Sequence, residues 1–275
     1  MFELFLEMMS YPFLARAMVV GILVSLCASV LGVGLVLKRY SMIGDGLSHV
    51  GFGALSVATV LNVAPLTVSV PVVVLSAVLL LRISESSKIK GDAAIALISS
   101  GSLAIGVLIV SLTKGMNTDL YSYLFGSILS LSRNDALLSM LLSVAVLALF
   151  VLFYHRIFAV TFDQEFAKAI GTDAGLYNLI IALLTAVTIV LGMRMMGTLL
   201  ISSLIIFPSL SAMRLFRQFR SVMICSAFIS LSCFLVGIVA SYVLETPTGA
   251  SIVAANIASL LLFSLAGLIW RRIRA

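Results

Sequence analysis

Residues Met18–Leu37 read MVVGILVSLCASVLGVGLVL, an unbroken stretch without a charge that Lys38-Arg39 closes. An α-helix rises about 1.5 Å per residue, so ~20 apolar residues of this kind match the thickness of a bilayer's hydrocarbon core. The same reading extends outward. Val50–Leu81 carries no charge, is too long for one helix, and is divided by the turn signal Asn62-Val63-Ala64-Pro65. Further apolar spans follow at Ala93–Thr113, Ala136–Tyr154, Ala174–Met193, Met195–Met213, Ser221–Leu244 and from about Gly249 to Trp270, bounded by arginines or by Glu245-Thr246-Pro247-Thr248-Gly249. Tyr121–Leu131 is apolar but only about half the length of a span, which fits a re-entrant or interfacial segment.

Composition agrees with this pattern. Of 275 residues, 62% are hydrophobic and 10% are charged, and the mean hydropathy is +1.24, which excludes a soluble domain with a polar surface. Long uncharged intervals argue against a β-barrel, whose strands alternate with period two. The fold class is therefore all-α, a polytopic transmembrane bundle of about eight to ten spans forming a single domain over 1–275. Met1–Ser10 has Glu3 and Glu7 where a signal peptide has basic residues, so the first apolar segment is expected to be retained. The net charge of +6 resides in short interhelical groups, including Arg214, Arg217 and Arg220, and in Arg271, Arg272 and Arg274. These are topology signals facing the cytoplasm, and no nucleic-acid site is implied. Counting by that rule gives about nine spans, with the N-terminus outside and the C-terminus inside; if Tyr121–Leu131 crosses, or if the helix carrying Asp45 and His49 does not, the count becomes about ten or about eight and the N-terminus moves to the cytoplasm. Cys27, Cys225 and Cys233 lie in apolar runs without ligand spacing and read as small core residues.

Two stretches carry chemistry. In Ile43-Gly44-Asp45-Gly46-Leu47-Ser48-His49, a carboxylate and an imidazole stand four residues apart, hence on one face of a helix, where they can hold one divalent cation between them. The competing reading has Asp45 capping the helix and His49 bonding a backbone carbonyl. Carboxylate plus imidazole suits zinc or manganese and not soft Cu(I), and two protein ligands bind weakly enough to release. With Lys38-Arg39 cytoplasmic, Asp45 is expected near the inner face. Gly44, Gly46, Gly51 and Gly53 are each explained by close helix packing. Met193, Met195 and Met196 read as packing residues. The second stretch, Asp163-Gln164-Glu165-Phe166-Ala167-Lys168-Ala169-Ile170-Gly171, is a short amphipathic helix with a glycine cap, resting on lipid or docking into another protein's groove. It lies in the polar connection 155–175. No Gly-x-x-x-x-Gly-Lys-Ser/Thr loop occurs, so nucleotide is not hydrolysed by that route in this chain. His49 and His155 are the only histidines, which leaves no Ser-His-Asp set.

In this order, these motifs resemble the membrane permease subunits of the bacterial zinc and manganese ATP-binding-cassette (ABC) importers. The resemblance rests on Tyr40–His49, Leu124-Phe125-Gly126-Ser127-Ile128-Leu129, Phe162–Ala167 with Gly171, Gly197-Thr198-Leu199-Leu200-Ile201 leading to Ile206-Phe207-Pro208, and Pro247-Thr248-Gly249-Ala250. Two departures stand out. Pro208-Ser209-Leu210-Ser211-Ala212 replaces the family's proline followed by two alanines and a threonine, and Phe166 follows Glu165 where the family has a small residue.

The resemblance implies a multi-pass protein of the bacterial plasma (inner) membrane that pairs with a second copy of the permease. A cytoplasmic ABC ATPase dimer would supply ATP hydrolysis, and an extracytoplasmic metal-binding protein would deliver the ion. The chain itself would be no enzyme and would hold no permanent cofactor, the divalent metal, zinc foremost and manganese or iron otherwise, being a transient substrate. Asp45 and His49 would meet the ion. Glu165, Phe166, Ala167 and Gly171 would couple the pore to the ATPase. A gradient-driven secondary transporter is the alternative; it predicts buried acids along the helices and inverted repeats, neither of which is evident.

Overall fold

The computed structural model describes residues 11–86, 91–113, 126 and 132–274. The short apolar segment Tyr121–Leu131 and the motif Leu124–Leu129 fall outside the described residues except for Gly126, as do Met1–Ser10. Among the described residues there are eleven helices and no strand. They are α1 (Pro12–Leu37), α2 (Ile43–Val60), α3 (Pro65–Ser86), α4 (Gly91–Leu112), α5 (Arg133–Leu152), α6 (Tyr154–Phe162), α7 (Gln164–Ala169), α8 (Ala174–Met196), α9 (Thr198–Leu215), α10 (Phe219–Leu244) and α11 (Thr248–Arg274).

Eight of these, α1, α3, α4, α5, α8, α9, α10 and α11, are long and apolar enough to cross a membrane. The ninth helix of the sequence reading, α2, is outside that set because Asp45, His49 and four glycines dilute its hydropathy. It is nevertheless buried among α3, α4, α8 and α9.

Backbone chemistry fixes the helix ends. After α1, Arg39 takes φ +62° while its N–H donates to Val36 O and that of Tyr40 to Leu35 O, which is a Schellman ending. Asn62 (φ +53°) ends α2 in the same way, and Pro65 then opens α3, as the Asn-Val-Ala-Pro signal predicts. Gly171 (φ +79°) closes α7, with Thr172 N–H reaching back to Ala167 O.

α1 is the hub, packed against α5, α8, α9 and α10. Its approach to α9 is so close that a Cβ on Gly32 would lie 2.1 Å from the Ile205 carbonyl oxygen. Within lipid, helices associate through small residues and hydrogen bonds more than through hydrophobic exclusion. Hydroxyls accordingly bridge α1 to its neighbours: from α10, Ser230 donates to Ser25 O at 3.0 Å and Ser226 to Ser29 O at 3.3 Å, and from α9, Ser209 donates to Ser29 O at 3.5 Å. Ser209, Ser211 and Ala212 are fully buried, so the serines after Pro208 do the close packing expected of alanines.

The ends of the bundle can be assigned from contacts. Gly34 faces Thr161, Lys38 Nζ donates to Asn178 Oδ1, and the rings of Tyr154, Phe158 and Phe162 lie 5.2–5.8 Å from Phe219. The end of α1, helices α6 and α7, the start of α8 and the start of α10 therefore share one end of the bundle. Gly267 near the end of α11 packs on the Arg214 backbone there, so the Arg214 group and the C-terminal arginines lie on one side. α2 starts at this end and runs parallel to α4, since Gly46 meets Ile95 and Gly53 meets Ser102 at a constant offset along both helices.

α5 ends beside α6 and so begins at the opposite end, where the structure departs from the sequence reading. Arg194 was expected to separate two spans, but α8 continues through it to Met196 and breaks at Gly197 (φ +84°, ψ +165°). The physical reason is an ion pair: Arg194 Nη2 lies 2.8 Å from Asp135 Oδ2, with the side chains only 17% and 15% exposed. Asp135 is presented by the first turn of α5, which Ser132 caps by accepting from Asp135 N–H at 3.1 Å. Breaking a buried pair strands a charge and costs up to about 3–5 kcal/mol, whereas replacing both partners with apolar groups is often neutral. Arg194→Met and Asp135→Leu are each expected to lower the melting temperature of the detergent-solubilised protein markedly. The double variant should recover most of the loss, and equal destabilisation by the double variant would show that the pair is not the source.

Candidate functional site

α2 is enclosed on most of its surface, and its partly open strip carries Asp45 and His49. His49 Nε2 stands 3.6 Å from Asp45 Oδ2, one turn apart, with the histidine side chain 18% and the aspartate 40% exposed. That separation is beyond a hydrogen bond but within ion-pair range. His49 Nδ1 is enclosed and finds no hydrogen-bond partner among the described residues. Asp45 does not cap α2: Met42 occupies the N-cap without a side-chain bond, and Gly46 N–H goes to Met42 O. Among the described residues neither half of the capping alternative is therefore seen. A carboxylate and an imidazole with an uncommitted nitrogen are left side by side in a bundle interior, where ionisable groups are expensive.

No third His, Cys, Asp or Glu joins them among the described residues. Two protein donors leave most of a metal ion's coordination positions to water, a hydroxyl or another chain. Asp45 lies in the first turn of α2, hence toward the end of the bundle that carries α6 and α7. Cys27, Cys225 and Cys233 are free thiols, and Cys27 and Cys233 are buried. Met193 packs against Gly51, and Met196 against Gly21 and Gly126, as fillers of the close approaches there.

The second sequence signal forms a helix as read. Asp163 caps α7, its Oδ1 accepting from Phe166 N–H at 2.9 Å. Glu165 is 84% exposed and paired with Lys168 Nζ at 2.9 Å, and Phe166 beside it is 60% exposed. Ala167 points the other way: it is fully buried against Val160 and Ala174 and seats α7 on α6 and α8. Gly171 has no atom within 4 Å of where a Cβ would stand, so it serves the positive φ that turns the chain into α8. Arg156 Nη1 donates to Thr172 Oγ1 at 2.8 Å and fixes that turn. Glu165, Phe166 and Ile170 thus form an exposed acidic and apolar surface on a firmly anchored helix. Sequence reasoning missed the Asp135–Arg194 pair, because partners this far apart in the chain share no local signal.

Comparison with known proteins agrees with this architecture. The manganese transport system membrane protein MntC of Halalkalibacterium halodurans is 27% identical, over 90% of this chain and 85% of its own length. The high-affinity zinc uptake system membrane protein ZnuB of Haemophilus influenzae is 28% identical, over 88% of this chain and 93% of its own. The solved structure of PsaBC from Streptococcus pneumoniae in complex with Fab superposes with a TM-score of 0.84 at 27% identity, covering 96% of this chain and 95% of that one. Residues 10–267 match the ABC 3 transport family, and the chain belongs to it as a multi-pass membrane protein.

Proposed function

We propose that this chain is the pore subunit of an importer that carries a divalent transition-metal ion, zinc foremost, into the cytoplasm, paired with a second copy of itself and driven by a separate ATPase dimer. The observation that carries the reading is the Asp45–His49 pair: two metal-competent side chains 3.6 Å apart on a helix otherwise packed in an apolar bundle. An ion path has to bind well enough to admit the ion and weakly enough to release it, and two protein ligands meet both needs. Imidazole nitrogen favours zinc over manganese in intrinsic affinity. Manganese is the second reading, favoured by relatives such as MntC, which is named as a manganese transport protein.

In this reading the end of the bundle bearing α6, α7 and the arginine groups faces the cytoplasm. The ATPase docks on Glu165, Phe166 and Ile170, while Ala167 and Gly171 hold the docking helix in place. An extracytoplasmic binding protein delivers the ion at the opposite end. The ion then travels along α2 and meets Asp45 and His49 late in its passage.

Loss of one metal ligand or its support commonly costs about 10–100-fold in metal affinity. Asp45→Ala and His49→Ala are each expected to cut zinc and manganese uptake by cells by about that factor at unchanged protein level, with zinc favoured by the native chain at equal concentrations. Undiminished uptake of both ions would remove the site. Glu165→Arg reverses the charge of an exposed residue on α7 and should leave the permease folded. It is expected to weaken co-purification with the ATPase and to reduce transport in parallel, and an intact complex with normal transport would reject the docking role.

A further inference from the structure

We propose that Lys38 and Asn178 are positioning residues for transport: their hydrogen bond straps the start of α8, and with it the docking helix α7, to the turn that presents Asp45. This rests on the reading of α7 as the surface on which the ATPase docks. Lys38 Nζ donates to Asn178 Oδ1 between residues 140 apart in the chain. Asn178 is 7% exposed and Lys38 is half-buried, so the bond lies inside the bundle, where a hydrogen bond is electrostatically stronger than in water.

On one side the bond stands next to α7. Asn178 follows Ala174 by one turn of α8, and Ala174 is buried against Ala167 of α7 and Val160 of α6. Arg156 of α6 fastens the same corner through Thr172. On the other side, residues 39–42 alone separate Lys38 from α2, and backbone bonds stiffen them. Tyr40 N–H donates to Leu35 O at 2.9 Å, Ile43 N–H to Tyr40 O at 3.0 Å and Gly46 N–H to Met42 O at 3.0 Å. A displacement of Lys38 therefore reaches the first turn of α2, which carries Asp45, without passing a loose joint.

Apolar packing does not duplicate this tie. A cavity of about 30 Å³ lies between the two sides, walled by Leu35, Tyr40, Ile43 and Ile181 together with Lys38 and Asn178. Side chains facing a gap lose contact with the opposite wall and transmit less of a small shift, whereas the hydrogen bond crosses from one side to the other. Further along, α8 meets α2 again where Met193 fills the space beside Gly51. A helix held at Gly51 and drawn at its start has to tilt, and Asp45 and His49 lie between those two points.

The test follows three quantities in parallel: zinc uptake by cells, the ATPase that co-purifies with the permease, and ATP hydrolysis by the purified complex. Asn178→Leu is close to native in size and leaves the charges of Lys38-Arg39 in place. It is expected to cut zinc uptake by about tenfold while ATPase recovery and hydrolysis stay within about twofold of native, the pattern of an intact but uncoupled complex. Lys38→Met should behave alike, and Lys38→Arg, which keeps a long cationic donor, should retain most of the uptake. Native uptake by Asn178→Leu would overturn the proposal. So would uptake, ATPase recovery and hydrolysis that fall together, since a merely structural bond gives that result. Should Asn178→Leu not accumulate, Asn178→Asp, which keeps the acceptor, is set against Asn178→Ala, which removes it, and equal uptake by the two rejects the strap. Failure of the docking reading shows separately, as an intact complex and normal transport in Glu165→Arg.

Discussion

Everything in this bundle accommodates one demand: α2 has to carry an acid and an imidazole through an interior made of aliphatic side chains. An ionisable group at the centre of a membrane helix costs several kcal/mol unless it faces a partner or a water-accessible path. The chain meets this by removing side chains from the flanks of α2. At Gly46 a Cβ would fall 2.6 Å from Ile95 Cγ2, and at Gly51 2.3 Å from the Met193 methyl. With those flanks bare, α3, α4, α8 and α9 close on the helix, and the strip left partly open is the one holding Asp45 and His49. The seams of α1 with α9 and α10 follow the same logic, their serines bonding backbone carbonyls where a larger side chain would hold the helices apart.

α8 links the two chemical regions. It begins against α7, where Ala174 packs on Ala167, and its last turns touch α2, where Met193 fills the space beside Gly51. At about 1.5 Å per residue its 23 residues span roughly 35 Å. Its far end is held by Arg194 on Asp135, and its near end by Asp173, whose carboxylate accepts from Leu176 N–H at 3.1 Å. A push delivered at α7 therefore meets a continuous, anchored rod that ends beside the Asp45–His49 helix. In the proposed function such a rod is what would carry ATPase closure at α7 to the pore.

The sequence disclosed most of the frame because a bilayer imposes a length and a polarity on each crossing helix. Lys38-Arg39, Asn62–Pro65 and Gly171 marked real helix ends through backbone chemistry readable residue by residue. Asp45 and His49 were legible for a similar reason, since a four-residue spacing fixes a shared face. What escaped was non-local. Arg194 looked like a boundary because its neutralising partner, Asp135, lies in a helix that no local pattern connects to it. Ala167 sits within the same short motif as Glu165 and Phe166, yet a six-residue helix has two faces, and only the fold shows that Ala167 belongs to the inner one.

The position of the pair along α2 bears on how such a site works. A cation captured near the entrance of an apolar bundle would face the whole remaining path without ligands, and strong capture there would stall it. Asp45 and His49 instead stand toward the end that bears α7, with an incomplete donor set and part of the carboxylate open. In the proposed function the ordering cost of a tight site is thereby avoided, and the last barrier before release is lowered where water and cytoplasmic ligands complete the shell. A two-ligand site that would be a poor metal store is, at this depth, suited to handing an ion on.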